Sequence, residues 1–283
     1  MKEALYYESL GSLRVHCHLC PNECVLSDGN RGSCAVRINK GGILYSEVYN
    51  KTTGISLDPI EKKPLYHYHP GEKILSLGTK GCNFHCLFCQ NWQISQELGA
   101  PTQEINSEQV VERAKFHKSF GIAYTYNEPF IWYEFVLETA KLAHRNGLEN
   151  VLVTNGYVNM EPLEGMLPYI DAMNIDIKSF DENFYLKVCK GSLKSILEVI
   201  KRSARVCHVE LTNLIIPTLN DSETSIKNMT DWICDNLGAD TPLHLSRYFP
   251  HYKMDLAPTP IETLKRAERI AKIRLKNVYL GNV

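Results

Sequence analysis

From residue 74 onward, short continuous apolar runs alternate with longer stretches whose apolar positions recur at helical spacing. Compact apolar runs of this kind suit strands buried on both faces, as in a parallel sheet. They fall at 74–79, 122–126, 151–154, 173–177, 209–216 and 242–247. Between them the pattern predicts helices. One opens at Ser107, followed by Glu108 and the Val110-Val111 pair, and a second covers 134–145 before Gly147 closes it. Three more are expected over 196–203, 222–236 and 261–272. Six βα units in succession define an α/β chain with too few units for a closed eight-unit barrel. The expectation is an open, partial (β/α)6 barrel with its site at the carboxyl ends of the strands, and 278–280 reads as one further strand.

Residues 1–73 have another texture, with clustered cysteines, Gly29, Gly32, Gly41 and Gly42, and little helical periodicity. This divides the chain into a small cysteine-rich lobe over 1–73 and a barrel over 74–283. With 283 residues, 44% of them hydrophobic, the chain can bury a large core. Its 31 basic and 32 acidic side chains nearly cancel and form no long run of one sign, so neither nucleic acid nor an anionic membrane is an expected partner. The N-terminal MKEALYYESLGSLRV lacks the apolar core of a signal peptide, and no stretch approaches the length of a membrane span. A cytoplasmic location is therefore expected, in which the ten cysteines stay reduced and available to metal.

The chemistry concentrates in Gly81-Cys82-Asn83-Phe84-His85-Cys86-Leu87-Phe88-Cys89, directly after the first barrel strand. Three thiolates are thus gathered on one loop at the carboxyl edge of the sheet. A [4Fe-4S] cube takes one thiolate per iron, so Cys82, Cys86 and Cys89 would leave one iron open to a substrate or cofactor. Zinc sites favour paired C-x-x-C units, which this loop lacks. Other strand ends add Thr125-Tyr126-Asn127-Glu128-Pro129, Thr154-Asn155-Gly156 and Asp176-Ile177-Lys178. Alternation places Asp176 and Lys178 on one face, and a carboxylate such as Glu128 can accept from an ammonium with charge assistance.

The C-x-x-x-C-x-aromatic-C loop resembles the signature of the radical S-adenosylmethionine (SAM) superfamily. That resemblance implies a [4Fe-4S] cluster whose fourth iron is chelated by SAM, and reductive cleavage of SAM to a 5′-deoxyadenosyl radical that abstracts hydrogen from a substrate. It implies catalytic, cluster-holding roles for Cys82, Cys86 and Cys89, with Phe88 beside the adenine and Asn127-Glu128 at the SAM amino group. The order and spacing of residues 74–250 resemble the glycyl-radical-enzyme activases within the superfamily. By that likeness Lys178 pairs with the SAM carboxylate, Asn155 and Asp176 order the ribose side, and Thr154 and the strand-end His244 are also cofactor-binding residues. The activases carry an acid just before Thr-Asn-Gly where this chain has Val153, which puts any alkali-cation site built on it in doubt. The layout as a whole, N-terminal lobe included, most resembles the radical SAM member of the AmmeMemoRadiSam system, a group related to the pyruvate formate-lyase activating enzymes. That group usually extends further, to a C-terminal cysteine pair. This chain ends at Val283, so its domain is expected either to continue or to be an unusually short copy. The resemblance further implies a low-potential electron donor of the flavodoxin or ferredoxin type, and a substrate that is a segment of a partner protein.

Cys17, Cys20, Cys24 and Cys34 supply four more thiolates within eighteen residues. Four soft ligands close a tetrahedral Zn²⁺ site or hold a second iron–sulfur cluster, and zinc is favoured because so small a lobe needs a staple. Cys189, Cys207 and Cys234 read as core cysteines. The competing function is an iron–sulfur electron carrier or metal-binding module without SAM chemistry. Three loop cysteines argue against it, because a simple carrier fills all four iron sites with protein ligands.

Overall fold

The protein is described by a computed structural model over residues 1–97 and 99–283. Among these residues the central element is an eight-stranded sheet. Its strands are β1 (Gly54–Pro59), β2 (Lys73–Gly78), β3 (Gly121–Tyr124), β4 (Glu149–Thr154), β5 (Ala172–Asp176), β6 (His208–Ile215), β7 (Leu243–Arg247) and β8 (Val278–Gly281). They lie side by side in chain order, and β2 to β8 run parallel to their neighbours. All seven expected strands are present within a residue or two of their anticipated bounds. An α/β fold with a mostly parallel sheet, open between β1 and β8, is the result.

The addition is β1, which pairs antiparallel with β2, Leu57 opposite Leu75. It belongs to the segment read as part of the N-terminal lobe. As an edge strand it is only partly buried, so its sequence, GISLDP, carries no compact apolar run.

Helices return the chain between the parallel strands, as a βαβ connection requires. Ser107–Phe116 is capped one residue earlier than the Ser107 start suggests. The Asn106 side chain accepts from the Gln109 amide and the Gln109 side chain accepts in return from the Asn106 amide. Glu223–Leu237 is capped by Ser222, whose hydroxyl accepts from the Ser225 amide. No helix among the described residues is long and apolar enough to cross a membrane.

The residues that follow β1 lie across the amino end of the barrel. Buried Glu210 of β6 accepts from the Tyr66 and His67 amides, and Asn174 of β5 donates to the Pro64 carbonyl. The N-terminal lobe, built from short antiparallel strands, shares one apolar core with the barrel, Val15, Leu19 and Leu44 packing in the same cluster as Phe130 and Ile131. Across that seam Arg37 and Glu134 form a fully buried ion pair.

Candidate functional site

Parallel strands share a direction, so the segments that follow them gather at one end of the sheet. There a cleft of about 390 Å³ is lined by the loop after β2 (Cys82, Cys86, Phe88, Cys89), by Asn127 and Glu128 after β3, and by Thr154 and Asn155 of β4 and its exit. Asp176 and Lys178 contribute from the end of β5, and Ser246 from β7. Its size falls in the range of small-molecule and cofactor sites.

Each cysteine of the loop has a polar neighbour. Cys82 Sγ receives the Phe84 amide at 3.4 Å and Asn155 Nδ2 at 3.7 Å, and Cys89 Sγ lies 3.1 Å from Ser95 Oγ. Cys86 lies beside Cys189, a residue that the sequence pattern assigned to ordinary core, and that neighbour together with burial holds its thiol well above the ordinary value. The loop is held in place from both sides: Asn127 accepts from the Thr79 amide at 3.1 Å and donates to the Gly81 carbonyl at 2.8 Å. Both polar atoms of Asn127 are therefore spent on the backbone that leads into Cys82.

Glu128 is 1% exposed. Its Oε1 accepts from the Phe130 amide and the Thr154 hydroxyl, at 3.0 and 2.7 Å, and its Oε2 from the Asn155 amide at 2.8 Å. A carboxylate has about four acceptor positions, so one remains for a donor arriving in the cleft. Burial pushes its pKa up to about 7, against the pull of those three hydrogen bonds and of Lys178. Lys178 Nζ stands 2.9 Å from Asp176 Oδ2 and 5.9 Å from the centre of the Phe88 ring. Burial alone would lower its pKa, but Asp176, Cys86 and Cys189 outweigh that and hold it well above the ordinary value. A permanent cation, a buried carboxylate and three thiols thus face one space.

His244 is not among the cleft residues. It is buried on the barrel interior with Nε2 2.7 Å from Glu210 Oε2, a layer below Ser246. A lone strand-end histidine cannot reveal which layer it occupies; the carboxylate that holds it lies 34 residues earlier. The cleft also contains residues that sequence reasoning passed over, among them Lys63, whose ammonium is buried against Asp58 at 2.7 Å. Tyr126, with φ +72, donates its hydroxyl to the same Asp58 at 2.8 Å. Cys17, Cys20, Cys24 and Cys34 line a separate small cavity in the lobe.

Soft thiol donors on one loop, one fewer than the irons of a cube, with polar groups around a cofactor-sized cleft, fit an iron–sulfur cluster that takes an exogenous ligand. Residues 76–232 match the Radical SAM superfamily. The chain belongs to that superfamily. It is a radical SAM enzyme, and its cofactors are a [4Fe-4S] cluster and S-adenosylmethionine.

Similarity extends over the whole chain to the uncharacterized protein MJ0808 of Methanocaldococcus jannaschii, 47% identical over 290 residues, 100% of this chain and 86% of that one. The pyruvate formate-lyase 1-activating enzyme of Escherichia coli strain K12 is 22% identical over 222 residues, 71% of this chain and 89% of that one. Among solved structures, Streptococcus suis SuiB bound to the precursor peptide SuiA shares the fold at a TM-score of 0.57 and 12% identity, over 79% of this chain and 51% of that one.

Proposed function

We propose that Cys82, Cys86 and Cys89 ligate the [4Fe-4S] cluster, that Glu128 and Lys178 seat SAM at its open iron, and that the substrate is a segment of a partner protein. The observation that carries this reading is the convergence of the three thiols, Glu128 and Lys178 on one cleft of about 390 Å³. The bound cofactors supply a 5′-deoxyadenosyl radical, which removes hydrogen from the substrate. The remaining acceptor position of Glu128 suits the SAM ammonium, and the Lys178 cation suits its carboxylate. Asp176 holds Lys178 in place, and Asn155 links Glu128 to the cluster loop. Thr154 acts through its hydrogen bond to Glu128 and Asn127 through its grip on the loop, while Phe88 is the apolar wall beside Lys178.

A protein substrate is supported by the activating-enzyme relative, whose named target is another enzyme, and by the fold's likeness to a structure that holds a precursor peptide. The electron donor in this reading is a low-potential flavodoxin- or ferredoxin-type protein. Anaerobically reconstituted enzyme is expected to form 5′-deoxyadenosine from SAM. Incubation with deuterated cell extract, fractionated by size, then checks the substrate: label reaching 5′-deoxyadenosine from the macromolecular fraction supports the reading, and label from the small-molecule fraction alone overturns it.

A further inference from the structure

The N-terminal lobe carries another set of metal-ligating side chains, on the face opposite Cys17. Its strand Arg14–Cys17 pairs antiparallel with Tyr7–Gly11, His16 directly opposite Glu8. The His18 amide continues the pairing by donating to the Tyr6 carbonyl at 2.8 Å. Side chains alternate along such an extended segment, so His16 and His18 share one face while Cys17 turns inward. The two imidazole rings lie 4.0 Å apart, centre to centre.

Both rings stand between two carboxylates. His18 Nδ1 donates to Glu23 Oε2 at 2.8 Å, and His16 Nε2 is 3.0 Å from the same oxygen. With protons on those nitrogens, the neutral rings present bare lone pairs at His18 Nε2 and His16 Nδ1. These two nitrogens face Glu8 Oε1, at 3.3 and 3.5 Å. Three acceptors thus converge with no hydrogen between them. Protonating both rings would supply hydrogens only by setting two cations 4.0 Å apart, whereas one divalent ion answers all three acceptors. Glu23 meanwhile has the place of the carboxylate that fixes the tautomer of a metal-bound histidine from behind. It is itself held: its Oε1 accepts from the Asn159 side chain, which also donates to the His18 carbonyl at 2.8 Å.

The spacing matches an ion. Zinc holds nitrogen and oxygen ligands at about 2.0–2.1 Å, so two of them at a tetrahedral angle are about 3.4 Å apart. Both contacts to Glu8 have that length, and the three ligand atoms all lie within 4.8 Å of one another. Two imidazoles and one carboxylate suit zinc, whereas magnesium and calcium prefer oxygen throughout. The Glu8 side chain is 58% exposed, which leaves a fourth position to water. We infer that Glu8, His16 and His18 bind a zinc-type divalent ion on the surface of the lobe, with Glu23 as the positioning residue behind both rings. Such an ion pins the hairpin over 7–17 to the turn that carries Glu23 and, through Asn159, to the segment after β4. None of these residues lines the cleft.

Anaerobically reconstituted protein, equilibrated with excess zinc alone and desalted, provides the test. Its X-ray absorption should contain a zinc component with nitrogen and oxygen ligands only, at about 2.0–2.1 Å, distinct from any thiolate-bound zinc at about 2.3 Å. His16→Ala/His18→Ala should hold about one zinc per chain fewer and lose that component, with iron content and SAM affinity unchanged. Glu23→Gln should keep the stoichiometry and weaken zinc affinity about tenfold or more; an unchanged affinity would overturn its positioning role. Equal zinc content in the unaltered protein and the double variant, zinc bound wholly through sulfur, or histidines that take up protons and leave zinc in solution, each overturns the inference. The absorption of the unaltered protein decides the matter even if a variant fails to fold. SAM binding enters neither zinc measurement, so this site and the proposed cofactor seat fail separately.

Discussion

Glu128 and Asn155 are joined at the mouth of the barrel: the Asn155 amide donates to Glu128 Oε2 at 2.8 Å, while its side chain reaches Cys82 Sγ at 3.7 Å. The buried carboxyl is therefore tied both to the end of β4 and to the cluster loop. Because burial raises its pKa to about 7, it is protonated below that pH and an ionised acceptor above it. SAM affinity is expected to strengthen as pH rises from 6 to 8, and Glu128→Gln should bind weakly with that dependence removed. Equilibrium titration of SAM at several pH values checks this. A wild-type affinity that is flat over the range would show that Glu128 does not receive the ammonium.

Lys178 shows the opposite behaviour, since its cation persists throughout the neutral range. Lys178→Ala removes a charge-assisted contact worth about 1.5–3 kcal/mol. SAM affinity should fall roughly tenfold or more. Iron content should stay unchanged, since no cluster ligand is lost. Lys178→Arg, with a longer and forked head beside Asp176, should restore only part of the binding. Parallel SAM titration and iron analysis distinguish this from a general loss of structure.

At Gly81 the chain has φ +90, and a Cβ there would stand 2.6 Å from the Cys34 carbonyl oxygen and 2.7 Å from Val36 Cγ1. Backbone cannot yield as a flexible side chain does. Gly81→Ala should cost at least ~2 kcal/mol and lower iron incorporation at the loop. Gly147→Ala, with φ +72 but nothing within 4 Å, isolates the conformational cost and should lose only about 1 kcal/mol. Equal melting shifts in the two variants would mean that the lobe does not press on the cluster loop.

Glu210 provides an acid-sensitive link at the barrel's amino end. Burial by itself raises its pKa, yet His208, His244 and the Tyr66 and His67 amides outweigh that and hold it at about 2. A carboxyl depressed from its ordinary 4.5 contributes stability that is complete above that value and is lost as pH falls toward 2. The contribution is of order 3 kcal/mol. Denaturant melts at pH 7 and pH 3 should show wild type losing more stability than Glu210→Gln. If both lose the same amount, the carboxylate does not anchor the segment after β1.

Much of the barrel was legible because it depends on local pattern. Compact apolar runs and helical spacing located the seven parallel strands, and parallel direction alone brought Cys82, Glu128, Thr154, Asn155, Asp176 and Lys178 to one edge. The cysteine spacing of the loop likewise announced its chemistry, because three ligands within eight residues need no distant partner. Other features arise only from contacts between distant segments. β1 exists as a strand because β2 offers it an edge. His244 belongs to Glu210 and not to the cleft, Cys189 meets Cys86 across 103 residues, and Asn127 is spent on the loop it appeared to face past. The sequence presented four N-terminal thiols in a small lobe, and the small cavity they line arises only where the lobe packs against Gly81 and Arg37. Periodicity records which face of an element is buried; the distance between two side chains is set by packing, which no local pattern encodes.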